Sequence, residues 1–205
     1  MAATTPAPAV DVVLDAREAA ATAYAAGLRA WLTARGLDSS SHALADTPDR
    51  VLRALDEMTA GYDQDPAELL ARTFPAEHDG MPIVVSGVPF ASLCEHHLLP
   101  FAGTADIGYQ PAPGAPVVGL SKLPRLLDVY ARRLQTQEAL TRQVTTALDR
   151  HLDSLGAACI VRSEHGCLAH RGARKSGSVM VTASYTGSFR NDPAVRDELH
   201  RLLTG

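Results

Sequence analysis

Residues 81–111 read MPIVVSGVPFASLCEHHLLPFAGTADIGYQP. The first half is β-branched and broken by glycine and proline, which predicts a strand. In the second half Ala105, Ile107 and Tyr109 alternate onto one face, which predicts a second strand paired with the first. Between the two, Cys94, Glu95, His96 and His97 stand side by side where a strand end is normally apolar. A metal site with a spare acid/base group explains that cluster, and so does a solvated loop.

On the N-terminal side, an alanine-rich stretch from about Ala16 to Arg35 predicts a helix that stops near Gly36. Asp46 or Thr47 can cap a second helix with Pro48 in its first turn, an apolar stripe at Val51, Leu52, Leu55 and Met58, and a stop at Gly61. DPAELLARTF adds a short helix. On the C-terminal side, PAPGAP is a loop, and residues 120–155 form a helical stretch. Ser121 caps its start, with Pro124 inside the first turn, and Thr136 caps a second helix after a bend near Leu134. AACIVRSEHGCLA, 157–169, and SGSVMVTASYTGSF, 176–189, read as two further strands, the latter alternating Val179, Val181, Ala183 and Tyr185. DPAVRDELHRLL reads as a closing amphipathic helix. The order is helices, then β-β-α-α-β-β, then a helix, which predicts an α+β domain with an antiparallel sheet. Residues 1–15 are expected to be a flexible tail, 16–78 an N-terminal helical segment and 79–205 the sheet domain.

Composition narrows the function. The 205 residues are 46% hydrophobic with a net charge of −4, so a globular chain is expected and a generic nucleic-acid binder is not. No apolar run is long enough for a membrane span, and the N-terminus lacks the pattern of a secretory signal. Three cysteines, Cys94, Cys159 and Cys167, are too few and too odd for a disulfide framework and read as reduced and intracellular. Two basic clusters in an acidic chain, Lys122 with Arg125 and Arg171 with Arg174 and Lys175, suit a small polyanion.

Cys94 and His97 form a C-x-x-H pair that can reach one metal from a tight turn, and EHGC brings His165 and Cys167 about seventy residues later. Two thiolates and one imidazole favour zinc and leave one tetrahedral position open, the pattern of catalytic sites. His96 and His165 could then move protons, or be ordinary structural histidines. Cys159 reads as a small buried hydrophobe. Glu138 could accept from the N–H edge of guanine, or be a surface helix carboxylate.

The stretches TPDRV, SLCEHHLLPF, VVGLSKLPRLLDVYARRLQTQEALT and EHGCLAHRGARKSGS resemble, in order and over roughly residues 46–190, the GTP cyclohydrolase I family. The resemblance implies a tunnelling fold and a cytoplasmic homodecamer with active sites at subunit interfaces. It implies zinc on Cys94, His97 and Cys167, proton transfer by His96 and His165, and Ser121 near the ribose. Glu138 beside Gln137 would hold the guanine, with Lys122, Arg125, Arg171 and Arg50 facing the triphosphate. The implied reaction converts GTP and water to 7,8-dihydroneopterin triphosphate and formate. Thr104, Thr136 and His170 depart from the family pattern, as does the strand VMVTASY, which lacks the usual hydroxyl-rich run. They leave room for a paralogue with a different end product. The rival outside this chemistry is a non-catalytic zinc-stabilised binding module, which requires a fourth protein ligand.

Overall fold

The computed structural model describes residues 10–75 and 77–204. It divides into two compact units, Met1–Glu57 and Met58–Gly205. The first holds α1 (Val10–Ala34) and nearly all of α2 (Thr47–Met58). Helix α1 starts earlier than Ala16, taking in part of the expected tail; the rest of that tail, residues 1–9, lies outside the described residues. It ends as its sequence predicts, with Gly36 at φ +78° and Leu37 N–H returning to the Leu32 carbonyl.

The second unit begins with a 3₁₀ turn (Ala60–Asp63) and α3 (Pro66–Leu70), capped by Asp65 accepting from Ala67 N–H. The sequence pattern groups these with the N-terminal helices, but they pack in the sheet unit. Gly61 bonds through its N–H to the Arg132 carbonyl, and Arg133 donates to the Gly61 carbonyl. Two short strands, β1 (Thr73–Phe74) and β4 (Val117–Val118), pair antiparallel and fix the chain entering the next helix.

The main sheet contains β2 (Ile83–Cys94), β3 (Pro100–Pro111), β5 (Leu134–Gln135), β6 (Ser154–His165) and β7 (Val179–Tyr185), in the order β5-β2-β3-β6-β7. The four long strands are antiparallel, as expected. The added edge β5 pairs parallel with the end of β2, placing Cys94 opposite Gln135. Between Val85 and Val88 the β2–β3 register shifts, with Gly87 at φ +65° donating its N–H to the Asp106 carboxylate.

One face of the sheet is covered by α4 (Lys122–Ala131) and α5 (Gln137–His151). Leu123, Leu126 and Leu127 of α4 and Leu140, Val144 and Leu148 of α5 meet Phe101, Ile107, Tyr109, Cys159 and Val161 in one buried core. The helical positions follow the 3.6-residue repeat and the strand positions the two-residue repeat, so both stripes face each other. Helices α7 (Gly187–Asn191) and α8 (Pro193–Thr204) close a smaller cluster, Phe189 and Leu199 on Ala158, at residues that point to the other side of β6. Helix α6 (Gly166–Ala169) follows β6 directly, so strand pairing stops at His165 rather than running through Ala169 as the sequence pattern predicts.

Candidate active site

The site lies where β2 and β6 end on either side of the start of β3. Leu93 pairs with Pro100 and Phe101 pairs with His165, so one intervening strand closes the seventy-residue gap between Cys94 and His165. Cys94 anchors the turn after β2. Its N–H donates to the Leu99 carbonyl at 2.9 Å, and its own carbonyl accepts from Leu98 N–H at 2.8 Å. Leu98 adopts φ +52°, a left-handed geometry that costs a non-glycine residue about 1 kcal/mol or more. Glu95 N–H donates to the Gln135 carbonyl, so β5 tethers the other side of the turn.

This turn and α6 bring Cys94, His97 and Cys167 together, with one donor atom of each within 4.8 Å of the others. Cys94 Sγ lies 3.8 Å from His97 Nδ1. Two ligands at tetrahedral angles on one zinc would be about 3.6 Å apart by the usual Zn–S and Zn–N lengths. The donor set and its spacing therefore fit zinc. Burial, and then the neighbouring Cys94 thiol, push the Cys167 thiol above its ordinary value, against a smaller pull from Arg171. A bound cation relieves the crowding of two thiols side by side. Cys167 stands on α6 and not on the strand face of His165, a correction to the sequence reading that follows from β6 ending at His165.

His96 is exposed, with Nδ1 also 3.8 Å from Cys94 Sγ and Nε2 3.7 Å from Glu95, yet it is not one of the three mutually close residues. His165 is half-buried and stacks on Phe101, ring centroids 4.6 Å apart and planes 2° from parallel. Burial pushes its imidazole below the ordinary value, with the Glu138 charge pulling the other way. Glu138 is itself exposed in the first turn of α5. Arg171 Nη1 lies 2.8 Å from His97 Nε2, so the basic loop 170–177 reaches the cysteine cluster. Glu164 holds that loop, accepting from Gly177 N–H at 2.8 Å.

Ser121, Lys122 and Arg125 lie at the start of α4, and no hydrogen bond or ion pair among the described residues joins them to the cysteine cluster. Ser121 occupies the cap position without the expected side-chain bond. Arg50 pairs with Asp46 in the other unit. Gln137, placed against the substrate by the resemblance, is fully buried, and its Oε1 lies 2.8 Å from His165 Nε2. It touches a site histidine instead of an open surface.

The family model for GTP cyclohydrolase I matches residues 24–204. The chain belongs to the GTP cyclohydrolase I family. Relatives named GTP cyclohydrolase 1 include one from Corynebacterium glutamicum, 44% identical over 180 residues, covering 88% of this chain and 91% of the relative. Another, from Mycolicibacterium gilvum, is 46% identical over 178 residues, covering 87% and 88%. A third, from Mycobacterium leprae, is 44% identical over 178 residues, covering 87% and 86%. This member of the GTP cyclohydrolase I family is thus an enzyme with nearly full-length counterparts. Among the described residues no helix is long and apolar enough to cross a membrane.

Local sequence gave no sign of several residues that shape the site. Phe101, Ser163 and Glu164 act through strand register, and Thr141 and Thr182 meet across α5 and β7 at 2.6 Å. The strand VMVTASY does carry useful hydroxyls, since Ser184 also meets Thr145 at 2.8 Å. Thr136, another departure from the family pattern, accepts from Ala139 N–H as the cap of α5.

Proposed function

We propose that this chain is a zinc-dependent GTP cyclohydrolase I, converting GTP and water to 7,8-dihydroneopterin triphosphate and formate. The observation that carries the reading is the convergence of Cys94, His97 and Cys167 from a turn and a helix seventy residues apart, beside His165. Those three residues would hold zinc, which supplies Lewis acidity toward water when bound. Three protein ligands leave a position for chemistry, whereas a structural zinc module fills all four.

The chain's own groups do the rest. His96 and His165 hold and move protons as the imidazole ring of the purine opens and formate leaves. Burial pushes the His165 imidazole below its ordinary value, which favours the neutral form that can accept a proton. Glu138 receives the guanine N–H edge, while Lys122, Arg125, Arg171 and Arg50 neutralise the triphosphate and fix its position. Ser121, with no cap bond engaging its hydroxyl, serves the ribose as it rearranges.

Residues 79–205 form the catalytic domain of this reading, working in the cytoplasm as a homodecamer with sites shared between subunits. Replacing His96 or His165 by alanine should lower formate release from GTP about 100-fold or more with zinc content unchanged. Zinc loss in both variants would make these histidines ligands or supports and would defeat their assignment.

A further inference from the structure

We propose that Gln137 is a positioning residue for His165, holding its imidazole as the Nε2–H tautomer and leaving Nδ1 as the nitrogen that exchanges a proton with substrate. The inference rests on the functional reading above for the role of His165, and on the following geometry for the role of Gln137.

The Gln137 side chain is 0% exposed and its amide cannot be turned around. At one end it lies 3.0 Å from the Val161 carbonyl and 3.1 Å from the Met180 carbonyl. Backbone carbonyls only accept, so the NH2 group must occupy that end. A closed ring of hydroxyls points the same way. Thr141 Oγ1 donates to the backbone carbonyl of Gln137 at 2.6 Å, which uses its one proton. Thr182 must then donate to Thr141 and accept from the Gln137 amide, 3.1 Å away.

With the NH2 end fixed, Oε1 is fixed too. It accepts from Ser163 Oγ at 2.6 Å and lies 2.8 Å from His165 Nε2. An amide oxygen has no proton to offer, so the imidazole nitrogen facing it must carry one. In the neutral ring the lone pair is therefore on Nδ1. Turning the imidazole over in its own plane would put a carbon where Nε2 stands and lose this bond, while the stack on Phe101 holds the plane. An amide carbonyl orients the ring without placing a full negative charge beside it, unlike a carboxylate partner. The ring can thus stay a neutral base in a fixed direction.

The test reads the tautomer directly, by one- and two-bond proton–nitrogen correlations of ¹⁵N-histidine in the zinc-loaded full chain, with His165→Ala assigning the signals. The expected wild-type pattern is a proton on Nε2 and none on Nδ1. Gln137→Met keeps length and removes the acceptor; it should mix the tautomers and lower kcat about 10–100-fold with KM for GTP and zinc content unchanged. Gln137→Glu restores an acceptor and should recover the Nε2–H pattern and most of kcat, at a lower Tm because its carboxylate faces two carbonyls. A proton on Nδ1 in the wild type overturns the proposal, even if the methionine variant does not fold. So does a Gln137→Met protein in which KM rises and kcat holds, since Gln137 would then touch substrate. A wild type that releases no formate from GTP defeats the functional reading instead, and the tautomer, read without substrate, still decides the role of Gln137.

Discussion

At the scale of single residues, three cysteines in one small chain have been given different chemistry by where they sit. Cys159 is 0% exposed in the middle of β6, and burial, aided by the Asp106 charge, pushes its thiol far above the ordinary range. Cys94 and Cys167 face each other at the sheet's end, among groups suited to hold a cation. The thiolate is the reactive form, so the three should separate under alkylation. After chelation, iodoacetamide should label half-exposed Cys167 first and buried Cys94 more slowly, and leave Cys159 intact until the protein unfolds; peptide mass mapping reads this. Restoring zinc first should protect both. Early labelling of Cys159 would contradict the burial described. The C-x-x-H spacing and the EHGC motif made the cluster legible in the sequence, because each half is local. Gln137 was not legible as a partner of His165. Its neighbours Val161, Ser163, Met180 and Thr182 come from two strands whose register no local pattern encodes.

At the scale of elements, the site depends on β3 acting as a spacer of fixed width between β2 and β6. Gly103 is where that spacing is tightest: a Cβ there would meet the Arg162 carbonyl oxygen at 1.9 Å and Ser163 Cα at 2.6 Å. Backbone cannot yield as a flexible side chain does, so Gly103→Ala should force β6 away from β3. We expect a loss of about 2 kcal/mol or more in stability, seen as a lower Tm, together with weaker zinc retention. An unchanged Tm and full zinc content would show that the strands tolerate a wider spacing. The long strands and both sheet-covering helices were readable from periodicity, and Thr136 from its capping chemistry. Strand β5 was not, because two residues in parallel pairing look like a bend between helices. The four residues of α6 were equally hidden, being too short to show a helical period and continuous with a strand pattern.

At the scale of the whole molecule, the sheet ends on β7 with an apolar row turned outward. Val179 and Val181 are each 59% exposed, and Ala183 on the same face is exposed as well. An open strand edge carrying such a row is a hazard unless something covers it. The proposed assembly of copies side by side supplies the cover. Val181→Lys should therefore shift the protein to smaller species in light scattering after size exclusion, with its helical and sheet content retained. An unchanged particle mass would place the subunit contacts elsewhere. With sites shared between copies as proposed, the dissociated variant should also bind GTP more weakly.

The most direct trial of the account is the reaction itself. Zinc-loaded protein is incubated with GTP, and formate is measured alongside the fluorescent pterin obtained by oxidising the product. Equal amounts of formate and pterin are the predicted result, establishing both ring opening and reclosure at the Cys94, His97 and Cys167 centre. Formate without pterin would stop the reaction short of a cyclohydrolase, and GTP left intact by fully loaded protein would contradict the proposed function outright.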